Sequence, residues 1–254
     1  MSRPFLILQL SDLHVGGNAE GLDAATALAS AIDSVQGLPD QPDAVGVTGD
    51  LTNGAADVEY RLARELLARL DAPTYVLPGN HDDRAGLRRN FELPGSGDAP
   101  IQQAVDLGPL RLVMLDSTRP GEVAGELDGE RLAWLETELA RASDQLTLLA
   151  MHHPPLATGI LACDEIGLPA AERRALGAIL DRHPQVLRVV AGHMHRMIAA
   201  ELSGRTVLAA PSTYLQGRLD FTAPELALVR EPPGFAIHAL LDGELASHIQ
   251  PVIG

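Results

Sequence analysis

Apolar residues recur along the chain in short runs separated by longer segments of helical periodicity. Phe5 to Leu10, Ala44 to Thr48, Thr74 to Leu77, Leu110 to Leu115, Leu146 to Met151 and Leu187 to Ala191 are β-rich and bounded by turn formers, which predicts strands. Between them, Leu22 to Val35, Val58 to Leu70, Gly129 to Arg141 and Ala170 to Arg182 carry apolar residues at helical spacing. Leu132, Leu135 and Leu139 mark the third of these behind a capping residue at Asp128. Strands alternating with helices predict β-α-β units and an α/β layered fold. After Gly192 the pattern changes. Met197 to Leu202, Arg205 to Ala209, Phe235 to Leu241 and Leu245 to Ile249 read as strands with turns at Ser203-Gly204 and Asp242-Gly243, so a terminal antiparallel sheet is expected. Residues 93–100 and 217–233 are loop-rich, but neither resembles a linker, and residues 1–254 are read as one domain.

Composition narrows the function. Hydrophobic residues make up 46% and charged residues 21% of 254 residues, so a large core is within reach and global disorder is excluded. The formal net charge is −15, which repels nucleic-acid polymers and anionic membranes. All 19 basic residues are Arg, and chemistry that needs a lysine is excluded. Cys163 is alone, so no intrachain disulfide forms and a reducing cytoplasm is the expected compartment. The N-terminal apolar run is far below the roughly 18 residues of a membrane span, and no targeting segment is expected.

Histidine placement carries the chemistry. Asp12-Leu13-His14, Gly49-Asp50, Gly79-Asn80-His81-Asp82, His152-His153-Pro154-Pro155 and Gly192-His193-Met194-His195 each follow an apolar strand. In layered α/β folds the loops leaving the carboxyl ends of strands converge on one crevice, so the five clusters should meet. Carboxylates, imidazoles and an amide oxygen without thiolates suit Mn, Fe, Zn or Co. Asp12, His14, Asp50, Asn80, His152, His193 and His195 are too many ligands for one four-coordinate ion, so two are expected. Asp-x-His or Gly-Asp alone is commonplace, and the ordered recurrence of all five clusters after strands is what gives them weight. His183, His238 and His248 read as surface or half-buried residues and Cys163 as a small filler. Asp57, Asp128 and Glu130 read as caps, and Arg88-Arg89 and Arg173-Arg174 as solvated helix faces.

These motifs resemble the ordered signature of the calcineurin-like metallophosphoesterases. The strings Pro42-Asp43-Ala44-Val45, Thr48-Gly49-Asp50-Leu51-Thr52, Pro78-Gly79-Asn80-His81-Asp82-Asp83 and Met151-His152-His153-Pro154-Pro155 look like the class III cyclic nucleotide phosphodiesterases and the related bacterial glycerophosphodiesterases. The resemblance spans nearly the whole chain and implies a four-layer αββα sandwich of two mixed sheets flanked by helices. It also implies that Asp12, His14 and His195 hold one ion, that Asn80, His152 and His193 hold the other, and that Asp50 bridges them. By the same resemblance, His81 would stay off the metals and face the leaving or phosphoryl oxygen. The family's longer C-terminal region serves as a lid or in oligomer contacts, so a homo-oligomer stays open for this chain.

Two divalent or trivalent ions about 3.5 to 4 Å apart neutralise a phosphate and activate the attacking water as a metal-bound hydroxide, with no protein nucleophile. Small phosphodiesters, either 3',5'-cyclic nucleotides or glycerophosphodiesters, are the expected substrates, and phosphomonoesters or phosphonate monoesters the alternative. A non-catalytic metal-binding scaffold is the rival class, and retention of all seven ligands argues against it. A mononuclear hydrolase of another fold is disfavoured by the lack of His-Glu-x-x-His.

Overall fold

A computed structural model describes residues 3–252. Eleven strands of three or more residues fall among the described residues, and we number these β1 to β11. Phe5–Leu10 (β1), Ala44–Val47 (β2) and Thr74–Val76 (β3) pair in parallel. Gln103–Asp106 (β4), Arg111–Leu115 (β5), Thr147–Met151 (β6) and Val186–Ala191 (β7) follow, then Ile198–Leu202 (β8), Arg205–Ala209 (β9), Gly234–Leu241 (β10) and Glu244–Pro251 (β11). Two sheets result, in the orders β11-β10-β1-β2-β3 and β8-β9-β7-β6-β5-β4. The helices are Ala24–Gln36 (α1), Asp57–Leu67 (α2), Arg84–Asn90 (α3), Gly129–Arg141 (α4), Leu161–Glu165 (α5) and Ala170–Arg182 (α6).

Two-residue periodicity explains the layering. On β1, Leu8 and Leu10 meet α1 and α2 through Leu28, Ile32, Tyr60 and Ala63, while Ile7 points the opposite way. On β5 and β6, Val113, Leu115, Leu149 and Met151 meet Leu135 and Leu139 of α4 and Leu176 and Leu180 of α6. The alternate residues Leu112, Met114, Leu148 and Ala150 pack with Ile7, Ala44 and Val190 in the seam between the sheets. Helices outside two face-to-face sheets make the four-layer αββα sandwich. No helix among the described residues is long and apolar enough to cross a membrane.

Three expectations need correction. The C-terminal strands do not make a separate antiparallel sheet. The β8-β9 hairpin joins one sheet, with β9 parallel to β7, and the β10-β11 hairpin joins the other, with β10 antiparallel to β1. Each hairpin buries one face by extending an edge already formed, which a lone two-stranded ribbon cannot do. His238 and His183 are buried, at 0% and 7% exposure, because β10 lies inside its sheet and His183 closes the end of α6. Arg88 is not a free solvated charge: it donates to the carbonyls of Pro94, Gly97 and Ala99 and so gathers the 93–100 loop. The short strand β4 and the short helices α3 and α5 fall outside the expected elements.

Candidate metal centre

Five loops leave the carboxyl ends of β1, β2, β3, β6 and β7 on one side of the sandwich, and backbone bonds sew them together. Asp12 N–H donates to the Gly49 carbonyl at 3.1 Å, His14 N–H to Asp50 at 2.9 Å, and Gly192 N–H to His152 at 3.0 Å. Asp12, His14, Asp50, His193 and His195 all adopt positive φ. Such backbone costs about 1–3 kcal/mol per residue and persists only where surrounding contacts enforce it. Gly49 has φ 95°, and a Cβ there would stand 2.4 Å from His152 Nδ1. Its lack of a side chain lets the two loops touch.

The structure brings all eight sequence-predicted residues to one crevice. Donor atoms of Asp12, His14, Asp50 and His195 lie within 4.8 Å of one another, and those of His152, His153 and His193 form a second such group. Asp50 stands between them, its Oδ2 3.5 Å from Nε2 of both His14 and His152. Asn80 Oδ1 adjoins the second group, 3.1 Å from His152 Nε2. His153 belongs to that group by proximity alone. Its Nε2 faces the Val123 carbonyl at 3.0 Å and its Nδ1 the Ser117 hydroxyl at 2.9 Å, so both ring nitrogens are engaged.

Backbone carbonyls orient three of the remaining rings. His152 Nδ1 faces Thr48 O at 2.7 Å, His195 Nδ1 faces Leu215 O at 2.8 Å, and His193 Nε2 faces Ile166 O at 3.0 Å. A carbonyl only accepts, so each of these nitrogens carries a hydrogen, and in the neutral ring the other nitrogen is the one left to ligate. His14 Nε2 approaches His195 Nε2 at 2.9 Å. Nitrogens and carboxylates converging this closely suit a cation, and the donor set fits the borderline divalent ions.

Electrostatics follow from burial and pairing. Burial lowers His14 to about 3 and pushes His193 well below the ordinary range, so both rings stand neutral. Burial also opposes charge on Asp50 and His152, but their mutual attraction prevails: Asp50 is held well below the usual carboxylate range and His152 rises to about 9. Burial pushes Asp12 up. His81, by contrast, is exposed at the rim, its Nδ1 2.9 Å from the Asn53 carbonyl and its ring centroid 4.7 Å from that of His14.

Some supporting residues carry no motif. Asp82 accepts from the backbone of Gly79, Leu51 and Thr52, tying the Asn80 loop to the Asp50 loop. Ser117 anchors His153, and Asp116 pairs with Arg84 at 2.8 Å. Asp116-Ser117 also follows an apolar strand, which is a signal, but without histidine it does not draw attention. Tyr214, Asn18 and Asn53 line the cavity of about 270 Å³ above the ligands and are legible only from the fold.

A family model described as calcineurin-like phosphoesterase matches residues 5–197. A probable glycerophosphodiester phosphodiesterase GpdQ of Arcobacter nitrofigilis is 35% identical, with 92% of this chain and 88% of that protein covered. A 3',5'-cyclic adenosine monophosphate phosphodiesterase CpdA of Pseudomonas aeruginosa is 33% identical over 97% of this chain and 90% of its own length. Among solved structures, a dimetal phosphatase from Danio rerio superposes with a TM-score of 0.75 at 17% identity, covering 99% of this chain and 98% of that one, which shows the shared fold.

Proposed function

Since the chain belongs to the calcineurin-like phosphoesterase family, we propose that it hydrolyses small phosphodiesters at a two-metal centre. Asp50 between the two donor groups is the observation that carries this reading, because a shared carboxylate is what couples two ions. We assign Asp12, His14 and His195 to one ion, Asn80, His152 and His193 to the other, and Asp50 to both. Mn, Fe, Zn or Co would supply phosphate charge neutralisation and water activation when bound. Residues 1–254 act as one domain, in the cytoplasm.

The protein's own groups do the rest. Carbonyls of Thr48, Leu215 and Ile166 hold the imidazoles in one tautomer, so no reorientation is needed as substrate arrives. His81 is placed at the rim to hydrogen-bond the ester and give a proton to the departing alkoxide. Val123, Ile166, Leu226 and Leu228 form an apolar wall beside the ligands. Asp50 contributes the only carboxylate among the described residues of this cavity, so no carboxylate there would be free to ion-pair a cationic head group once the metals are bound. A flat apolar base fits that wall, and 3',5'-cyclic nucleotides are the preferred substrates. Glycerophosphodiesters are the second reading, favoured by a neighbouring cavity of about 200 Å³ beyond Asn80 and His81, whose mixed polar lining of Asp83, Arg84, Asp98 and Arg119 suits a polar alcohol group.

Purified protein loaded with Mn, assayed on bis(p-nitrophenyl) phosphate, cyclic AMP and glycerophosphocholine, should turn over at least one diester. Chelation should abolish the activity and metal should restore it. A higher kcat/KM on glycerophosphocholine than on cyclic AMP would reverse the substrate preference. No hydrolysis of any ester with both sites occupied would make the protein a metal-binding scaffold.

A further inference from the structure

Most of the seam between the sheets is apolar, but its character changes as it nears the crevice. The seam-facing positions there carry Gln9, two residues beyond Ile7, then Thr48 at the end of β2, and His238, the register partner of Ile7 on β10. All three are at most 1% exposed. Burying such groups among methyl groups costs several kcal/mol unless each finds a partner.

They find partners in a single chain of hydrogen bonds. Gln9 Nε2 donates to the Ala191 carbonyl and to Thr48 Oγ1, both at 2.9 Å. Gln9 Oε1 lies 3.0 Å from His238 Nε2, and His238 Nδ1 lies 2.6 Å from Ser247 Oγ. Arg188 completes the chain by donating to Ser247 Oγ and, at 3.0 Å, to the Leu245 carbonyl.

Only one polarity satisfies this chain. The Ala191 carbonyl accepts, so the amide nitrogen of Gln9 must face it and Oε1 must face His238. His238 Nε2 therefore carries a hydrogen, its Nδ1 is a lone pair, and Ser247 donates to that lone pair while accepting from Arg188. Burial, with Arg188 and His248 adding to it, lowers His238 to about 3, in keeping with a neutral ring in one tautomer.

The acceptors of Gln9 stand just upstream of the proposed ligands. Thr48 precedes Asp50 by two residues, and its carbonyl takes the Nδ1 hydrogen of His152. Ala191 precedes His193 by two residues on the opposite sheet, and Gln9 itself precedes Asp12 by three. One side-chain amide thus spans three strand ends that bear Asp12, Asp50 and His193. We infer that Gln9, held in orientation by His238 and Ser247, is a positioning residue that sets the separation of the two donor groups across the seam. The Gln9 side chain hydrogen-bonds Thr48, Ala191 and His238 rather than a ligand side chain, and the inference rests on the two-metal reading.

Manganese alone is a sufficient probe. Titration calorimetry counts the ions and gives their affinities, and electron paramagnetic resonance reports whether two Mn ions are exchange-coupled. The parent protein should bind two coupled ions; failure there would sink the two-metal reading itself. Given a coupled parent, Gln9→Leu should stay folded yet weaken Mn binding at one or both sites by about 10- to 100-fold, with an altered coupling spectrum. Ser247→Ala, at the far end of the chain, should act in the same direction by less than about tenfold. Parental affinities and an unchanged spectrum in Gln9→Leu, even with a lower melting temperature, would reduce Gln9 to core packing and overturn the inference. Should Gln9→Leu fail to fold, the same spectrum in Ser247→Ala as in the parent would overturn it.

Discussion

Two unlike parts of this molecule share left-handed backbone. At the tips of the terminal hairpins, Ser203-Gly204 and Asp242-Gly243 have φ of 49° and 69°, and of 50° and 84°. At the crevice, Asp12, His14, Asp50, His193 and His195 have φ between 48° and 68°. The hairpin tips need that geometry locally, since a two-residue turn with both φ positive matches the twist of its strands, and Gly, Asp and Ser tolerate it. The five crevice residues form no two-residue turn, so turn geometry gives them no such local reason. Their strain is offset by long-range contacts: the backbone N–H of His193 donates to both oxygens of Asp12, and that of His14 to the Asp50 carbonyl. The same dihedral angle is therefore a local matter in the hairpins and a tertiary one in the metal centre.

The sharpest way to test this difference is at the shared carboxylate. Asp50→Asn should lower metal stoichiometry and cut turnover by at least about a hundredfold on every substrate, because both donor groups lose their common anion. Metal analysis with steady-state kinetics checks it, and full metal content at a near-normal rate would remove Asp50 from between the sites.

His81 stands apart from both classes, an exposed residue with ordinary φ. His81→Ala should keep both ions and lose about a hundredfold on an ester with an alkoxide leaving group, but less than about tenfold on a nitrophenyl diester, which departs without a proton. Equal losses on both would instead make His81 a binder of the phosphoryl oxygens.

Gly192 probes how tightly the crevice loops are held together. A Cβ there would stand 1.9 Å from Ser11 Oγ and 2.8 Å from Asp12 Oδ2. Gly192→Ala should cost about 2 kcal/mol by urea denaturation and also weaken Mn binding, since Asp12 must move. Unchanged stability would show that the loops can separate without loss.

The smallest effect belongs to the hairpin. Asp242→Gly should alter stability by less than about 1 kcal/mol and leave metal affinity untouched. A measurable change in Mn binding would mean that the hairpin and the crevice are coupled after all.

Much of the centre was legible from the chain alone. Asp12, His14, Asp50, Asn80, His81, His152, His193 and His195 stand out because short apolar strands end directly in them, and strand ends converge in layered α/β folds. His153 shows the limit of that reasoning. It shares a dipeptide with His152, and only the Ser117 hydroxyl and the Val123 carbonyl reveal that its nitrogens are occupied. Asp82 likewise becomes a brace between loops only when Leu51 and Thr52 are seen to donate to it.

What the sequence by itself determined was local: residue types suited to borderline cations, the alternation that makes one face of each strand apolar, and the hairpin tips. Those properties depend on neighbours within a few positions, so period and composition carry them. The tertiary structure alone decided which sheet each C-terminal hairpin joins, and hence that His238 lies in the seam against Gln9, 229 positions away. It also decided which apolar residues wall the cavity. Strand pairing and burial reward contacts between distant segments, and a run such as Gly234–Leu241 would pair equally well with any free edge until the rest of the fold leaves one that covers its apolar face.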